Sequence, residues 1–201
     1  MLPNQYRRLV LFTAAPAFLS LVGCNPPSQK KFNGIDLAGA QYAQQFSLLD
    51  PNGKERSLTD FHGQAVLIFF GFTQCPDVCP TALTRAAEVR RMLGKDANRL
   101  QVLFVTLDPE RDTPEVLKAY TSAFDPSFIG LSTSTAKTEE TAKAFKIFFK
   151  KVPTGSSYTL DHSTISYLYD EKGILRVALQ HEMSAEVVAA DVRMVLNLKT
   201  A

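Results

Sequence analysis

An apolar run that leads directly into two cysteines constrains the fold of this chain more than any other feature. Residues 65–72 read AVLIFFGF, which is typical of a strand buried on both faces of a sheet. Residues 73–83 follow as TQCPDVCPTAL, and Pro80 suits the first turn of a helix because its missing N–H would have no partner there. The sequence therefore predicts a buried strand that leads into a helix, with Cys75 and Cys79 at the junction.

The remaining elements predict an α/β domain. A turn at 50–53 (DPNG) predicts an N-terminal hairpin, and the apolar run at 100–107 predicts a second buried strand. A second turn, DEKG at 170–173, predicts a hairpin between strands at 164–169 and 174–179. Three further helices are predicted, beginning at Asp112 or Thr113, spanning 137–148 and spanning 184–198. This order is that of a thioredoxin-like fold with an N-terminal β-hairpin extension and a β-hairpin insertion near the C-terminus.

The N-terminus carries the pattern of an export signal. Arg7 and Arg8 precede an apolar stretch at 9–22, which is too short to span a bilayer comfortably. A small residue then precedes Cys24, and this junction resembles the lipobox of bacterial lipoproteins, in which the chain is cut before a cysteine that receives lipid. We predict a lipoprotein-type signal peptide at 1–23, a lipidated Cys24 with a flexible tether at 24–41, and a folded domain at 42–201. An ordinary signal peptide or a membrane anchor is the alternative.

Removal of that signal would change both the location and the charge of the protein. The domain would be exported and anchored to a membrane by lipid, facing the periplasm or another extracytoplasmic compartment. The whole chain has a formal charge of +2, and residues 1–23 hold two arginines and no acid, so the cleaved chain would be neutral. We therefore expect no nucleic-acid partner.

The cysteine pair supports two kinds of chemistry. A helix N-terminus favours a thiolate, which is the form that attacks disulfides and the form that binds metal. The four-residue spacing predicts Cys75 in the loop and Cys79 at the helix start, so that both sulfurs approach one ion. That spacing favours metal binding without excluding a redox pair. A purely structural disulfide is a third alternative, although closing so short a loop would restrict the unfolded chain only modestly.

One of three histidines is a candidate third ligand. His62 lies in a polar turn and His181 lies just before the last predicted helix, and both are interpreted as surface residues. His162 lies in YTLDHS, in a predicted loop just before the apolar strand that begins at Thr164. A loop that enters a strand near the middle of the domain is where a third ligand would meet the cysteines. The alternative for His162 is an ordinary hydrogen-bonded loop residue.

Three separated motifs resemble one protein family. GFTQCPDVCPTAL, LDPERDTPEVLKAY and YTLDHSTISYLYD occur in the order found in the Sco/SenC family of membrane-tethered, thioredoxin-like copper proteins. The resemblance covers about residues 42–198, and it implies one copper ion, Cu(I) or Cu(II), on Cys75, Cys79 and His162. Two thiolates and an imidazole suit copper, although zinc would accept them with a fourth ligand. Asp108 and Asp161 are the candidates for orienting His162.

The resemblance also implies a function and partners. Sco/SenC proteins are linked to assembly of the CuA centre of cytochrome c oxidase, which predicts a metallochaperone rather than an enzyme. Its partners would be the CuA-bearing subunit and an upstream copper donor or thiol reductant. A thiol–disulfide oxidoreductase that reduces the CuA cysteines, or a copper or redox sensor, is the alternative. The oxidoreductase hypothesis is weakened because no proline immediately precedes Thr164. Separately, Gln74 stands where relatives carry histidine, which removes a possible extra donor but leaves the three ligands intact.

Overall fold

A computed structural model describes residues 31–197, which form one compact unit. The predicted signal peptide and the lipidation at Cys24 lie outside the described residues. Within 31–197, no helix combines the length and the apolar character needed to cross a bilayer.

The described chain contains ten strands and four α-helices. The strands are β1 Ile35–Asp36, β2 Leu48–Leu49, β3 Glu55–Arg56, β4 Ala65–Gly71, β5 Leu100–Thr106, β6 Ile129–Leu131, β7 Phe149–Thr154, β8 Ser157–His162, β9 Ser166–Tyr169 and β10 Leu175–Leu179. The helices are α1 Val78–Leu93, α2 Pro114–Ser122, α3 Thr135–Ala144 and α4 Ala185–Leu196. Short 3-10 helices cover Leu58–Phe61 and Gly94–Arg99.

Six strands form the central sheet, in the order β1-β10-β9-β4-β5-β6. β4 pairs in parallel with β5, and β5 with β6, whereas β9 runs antiparallel to β4. All seven residues of β4 are buried, as its apolar sequence predicts. The predicted α/β class and thioredoxin-like arrangement are confirmed, as are the hairpin of β2 with β3 and the hairpin of β9 with β10.

Both predicted hairpins close with the same turn, Asp-x-x-Gly-x-x-Arg. Asp170 is 6% exposed and accepts hydrogen bonds from the backbone N–H groups of Lys172 and Ile174 and from the Arg176 side chain. Asp50 makes the equivalent bonds to Asn52, Lys54 and Arg56. Gly53 and Gly173 have φ of 77° and 75°, a conformation that favours glycine. A buried carboxylate therefore organises each turn.

The sheet includes residues from the segment predicted as a tether. Ile35 and Asp36 pair with Val177 and Ala178 at the edge of the sheet. Asp191, which is fully buried on α4, accepts hydrogen bonds from the backbone N–H groups of Asn33 and Gly34. The ordered domain thus begins before residue 42.

A third hairpin, formed by β7 and β8, has no counterpart in the sequence prediction. The predicted helix over 137–148 ends instead at Ala144, and Lys146 follows with φ of 54°. The ribbon of β7 and β8 pairs with no strand of the central sheet. Most of its residues are exposed or half-buried, so it lacks the apolar run or strict alternation by which strands are recognised. His162, expected in a loop, is the last residue of β8.

Candidate metal centre

The two cysteines lie at the carboxyl end of β4. Cys75 is half-buried in the loop that follows the strand, and Cys79 is the second residue of α1 and fully buried. Gly71, the last residue of β4, makes room for this arrangement, because a Cβ there would lie 2.6 Å from the Cys79 Sγ. Cys75 thus lies in the loop and Cys79 at the helix start, as the spacing predicts, and the structure adds that Cys75 is the more exposed of the two.

The ribbon brings His162 to the same place. Its Nε2 lies 3.6 Å from the Cys79 Sγ, and the ligand atoms of Cys75, Cys79 and His162 all lie within 4.8 Å of one another. This is the only cluster of three such side chains among residues 31–197. His62 and His181 are not part of it.

Hydrogen bonding prepares His162 to act as a ligand. Its Nδ1 lies 2.8 Å from the Ser163 carbonyl oxygen. A carbonyl oxygen only accepts, so Nδ1 carries a proton, and this is the tautomer in which a neutral imidazole has its lone pair at Nε2. Phe69 and Phe72 form T-shaped contacts with the His162 ring, at centroid distances of 6.2 and 5.8 Å. These contacts fix the ring plane, and no sequence signal identified either phenylalanine as part of the site.

The two thiols interact, and their pKa values shift in opposite directions. The Cys79 thiol donates a hydrogen bond that lowers the pKa of Cys75 to about 3. Donation of that bond, together with burial, raises the pKa of Cys79 above its usual range. Cys75 therefore carries the thiolate in the metal-free pair, and it is also the more exposed sulfur.

Neither aspartate expected to orient His162 contacts its ring. Asp161 is exposed, because successive side chains of β8 point to opposite faces of the ribbon. Asp108 is 1% exposed, and it pairs with Arg111 and accepts a hydrogen bond from the Tyr158 hydroxyl. The Ser163 carbonyl takes the orienting role instead, because a backbone group next to the histidine reaches Nδ1 directly.

A buried carboxylate, Asp112, steadies the cysteine loop. It accepts hydrogen bonds from the backbone N–H and the hydroxyl of Thr73 at 3.0 and 2.6 Å, and from the Thr106 hydroxyl at 2.6 Å. Burial raises the pKa of Asp112. From the sequence, Asp112 is only one of two possible starting points of a helix. Thr113 is the cap of α2, and Asp112 holds the loop two residues before Cys75.

Comparison with known proteins places this geometry in a family. The family model described as SCO1/SenC matches residues 36–197. The chain belongs to the SCO1/SenC family. A SCO2-like protein from Rickettsia felis is 40% identical to it over 131 residues, which make up 64% of each chain. The match thus spans less than two thirds of that relative's length.

Solved structures of SCO1/SenC proteins share the fold. ScoI of Bradyrhizobium japonicum with copper bound is 42% identical and has a TM-score of 0.69, covering 76% of this chain and 98% of the other. Yeast Sco1 with copper bound is 32% identical and has a TM-score of 0.70, covering 78% and 88%. These likenesses confirm the family and the fold predicted from the three sequence motifs.

Proposed function

We propose that this SCO1/SenC protein is a copper metallochaperone that holds one copper ion on Cys75, Cys79 and His162. The observation that carries the proposal is the convergence of two sulfurs and an imidazole nitrogen within 4.8 Å. Thiolates favour Cu(I), and the imidazole suits Cu(II) as well. Zinc would need a fourth ligand in addition to these three. The copper bound to ScoI and Sco1 supports copper as the cargo.

The unequal exposure of the two sulfurs supports transfer by ligand exchange. Cys75 is half-buried and thiolate-bearing, so a thiolate of an incoming partner reaches the ion on the side of Cys75. Cys79 and His162 keep hold of the ion from within while Cys75 is displaced. The ion is then never released free into solvent.

The partner of this exchange is the CuA-bearing subunit of cytochrome c oxidase, and an upstream donor supplies the copper. The signal peptide at 1–23 and a lipid on Cys24 place the domain on a membrane, facing the extracytoplasmic side where such a subunit exposes its copper site. This part of the proposal rests on the family and on the N-terminal sequence pattern.

A thiol–disulfide exchange activity is the second candidate, favoured by the lowered pKa of the half-exposed Cys75. The Cys75 thiolate would attack a disulfide of the target and form a mixed disulfide, releasing one target thiol. Cys79 would then attack the Cys75 sulfur and release the second target sulfur as a thiolate. The target would leave with two thiols, and this protein would keep a Cys75–Cys79 disulfide.

Copper titration of the reduced protein tests the proposal. Loss of a residue that only orients a ligand weakens metal binding about 10–100-fold. Cys75→Ser, Cys79→Ser and His162→Ala each remove a ligand itself, so each should lower the copper affinity at least about a hundredfold. Absorption from copper–thiolate bonds is the probe, since the chain has no tryptophan. His181→Ala is the matched control and should bind copper normally.

The same variants separate the two candidates. Under the chaperone proposal, His162→Ala impairs oxidase assembly as the cysteine variants do. If His162→Ala supports normal assembly while both cysteine variants abolish it, thiol exchange is the function. If the reduced protein binds no copper, the chaperone proposal fails.

A further inference from the structure

We propose that Arg111 is a positioning residue that holds the ribbon bearing His162 against the loop bearing Cys75. The inference rests on the proposed function only in taking His162 and the cysteines as ligands. The placement of the ribbon itself is a property of the metal-free protein and is testable without copper.

The ribbon depends on side chains for its attachment. It forms a two-stranded sheet of its own and pairs with no strand of the central sheet. Apart from the contact of His162 with Cys79 and its bond to the neighbouring Ser163, each hydrogen bond from the side chains or carbonyls of the ribbon to the rest of residues 31–197 involves Asp108, Glu110 or Arg111. The segment 108–111 therefore forms the polar anchor of the ribbon.

Three residues of β8 face the domain together. Tyr158, Leu160 and His162 alternate along the strand and so lie on one face, and Leu160 is 5% exposed within the core. Arg111 holds the Tyr158 end of this face, and the cysteines meet the His162 end. Displacing Tyr158 consequently tilts the strand that carries the imidazole.

Arg111 makes its contacts through a guanidinium with a fixed shape. Its Nε donates to Asp108 at 2.5 Å, its Nη1 donates to the Tyr158 carbonyl at 2.8 Å, and its Cζ lies 3.7 Å from the centre of the Tyr158 ring. The side chains of Arg111 and Asp108 are 17% and 1% exposed, so solvent screens this ion pair little. A lysine has one compact charge and cannot span the same partners.

Arg111 also reaches the cysteine loop. Its Nη1 lies 3.1 Å from the Gln74 Oε1, and Gln74 immediately precedes Cys75. The loops after β4 and β5 are neighbours because these parallel strands end at the same edge of the sheet. One side chain thus contacts both the segment before Cys75 and the strand that ends in His162. Arg111 therefore lies between the two segments that carry the ligands.

Hydrogen exchange of the metal-free protein tests the placement. Arg111→Met should speed exchange of the backbone amides of β7 and β8 by about tenfold or more, while the amides of β4 and β5 keep their wild-type rates. Arg176→Met is the matched control, since Arg176 also pairs with a buried aspartate, at the end of the sheet away from the cysteines. It should leave the exchange of the ribbon unchanged.

Copper titration then shows whether Arg111 acts through His162. Arg111→Met should weaken copper binding by about tenfold to a hundredfold, as for a residue that orients a ligand. Added to His162→Ala, it should cost less than about twofold more, because the ligand that it positions is already gone. Arg111→Lys keeps the charge and serves if Arg111→Met fails to fold, and it should show the same pattern in weaker form.

Three results would overturn the proposal: unchanged exchange of the ribbon in both Arg111 variants, unchanged copper binding in both, or losses that add fully to those of His162→Ala. A wild-type protein that binds no copper would overturn the chaperone proposal instead. The exchange measurement would then still decide whether Arg111 holds the ribbon.

Discussion

Cys79 lies on a helix that follows a strand buried at all seven positions, whereas His162 lies on a ribbon outside the central sheet. Backbone hydrogen bonds on both sides hold β4, because it pairs with β5 and with β9. Side chains of the segment 108–111 and the buried Leu160 hold the ribbon. The part of the site that bears the sulfurs is thus built on backbone pairing within the central sheet, whereas the part that bears the imidazole is attached mainly through side chains.

The largest difference is expected in the free energy of unfolding when one buried leucine is truncated in the central sheet and one in the ribbon. Leu103 on β5 is fully buried and Leu160 on β8 is 5% exposed. Deletion of a buried leucine side chain costs about 2–5 kcal/mol, depending on how far the site collapses, so we expect about 5 kcal/mol for Leu103→Ala and about 2 for Leu160→Ala. Urea unfolding measures both. Equal losses of unfolding free energy would contradict the view that the ribbon is packed less tightly than the central sheet.

Adding a side chain at Gly71, at the end of β4, should displace Cys79 and lower both stability and copper affinity. Gly71→Ala would place a Cβ 2.6 Å from the Cys79 Sγ and 2.9 Å from Phe104, with an expected loss of about 1–3 kcal/mol from overpacking. Copper affinity should fall as well, because Cys79 must move. Gly130→Ala is the control, since its Cβ would lie 3.0 Å from Leu117 and near no ligand. If both variants bind copper equally well, Gly71 does not position Cys79.

The two thiols should react differently with iodoacetamide. Cys75 is half-buried with a pKa of about 3, whereas Cys79 is fully buried with a raised pKa. We expect Cys75 to be modified at least about tenfold faster, since the thiolate is the nucleophile. Its rate should be flat between pH 5 and pH 7, because the thiol is already deprotonated there. Peptide mapping by mass spectrometry measures both rates.

Denatured protein provides the control for that experiment. Both cysteines should then react at similar rates that rise with pH towards the ordinary thiol pKa. A Cys75 rate that rises steeply from pH 5 to pH 7 in the folded protein would show that Cys79 does not stabilise the thiolate.

The smallest effect is expected at the exposed edge of the ribbon. Lys151 pairs with Glu110 at 2.6 Å, but the two side chains are 47% and 51% exposed. Exposed ion pairs contribute little because water and salt screen them. Lys151→Met should therefore leave the urea midpoint and the exchange of the ribbon unchanged. Clearly faster amide exchange of the ribbon in this variant would show that the pair of Lys151 and Glu110, rather than Arg111, anchors the ribbon.

Local sequence patterns predicted most of the scaffold. The apolar runs predicted β4 and β5, the helix expected over 184–198 corresponds to α4, and the two Asp-x-x-Gly turns predicted their hairpins. The same kind of local pattern did not predict the ribbon, because neither of its strands has a continuous buried face. The same failure placed His162 in a loop.

The sequence by itself determined that two thiols stand at a strand–helix junction and that His162 is a candidate third ligand. Its motifs also pointed to the SCO1/SenC family, which the family match confirms. Only the tertiary structure decided how His162 reaches Cys79, which carbonyl orients its ring, and which side chains hold the ribbon. The physical reason is that strand and turn signals are local, whereas the contacts of Arg111 join residues up to 47 positions apart.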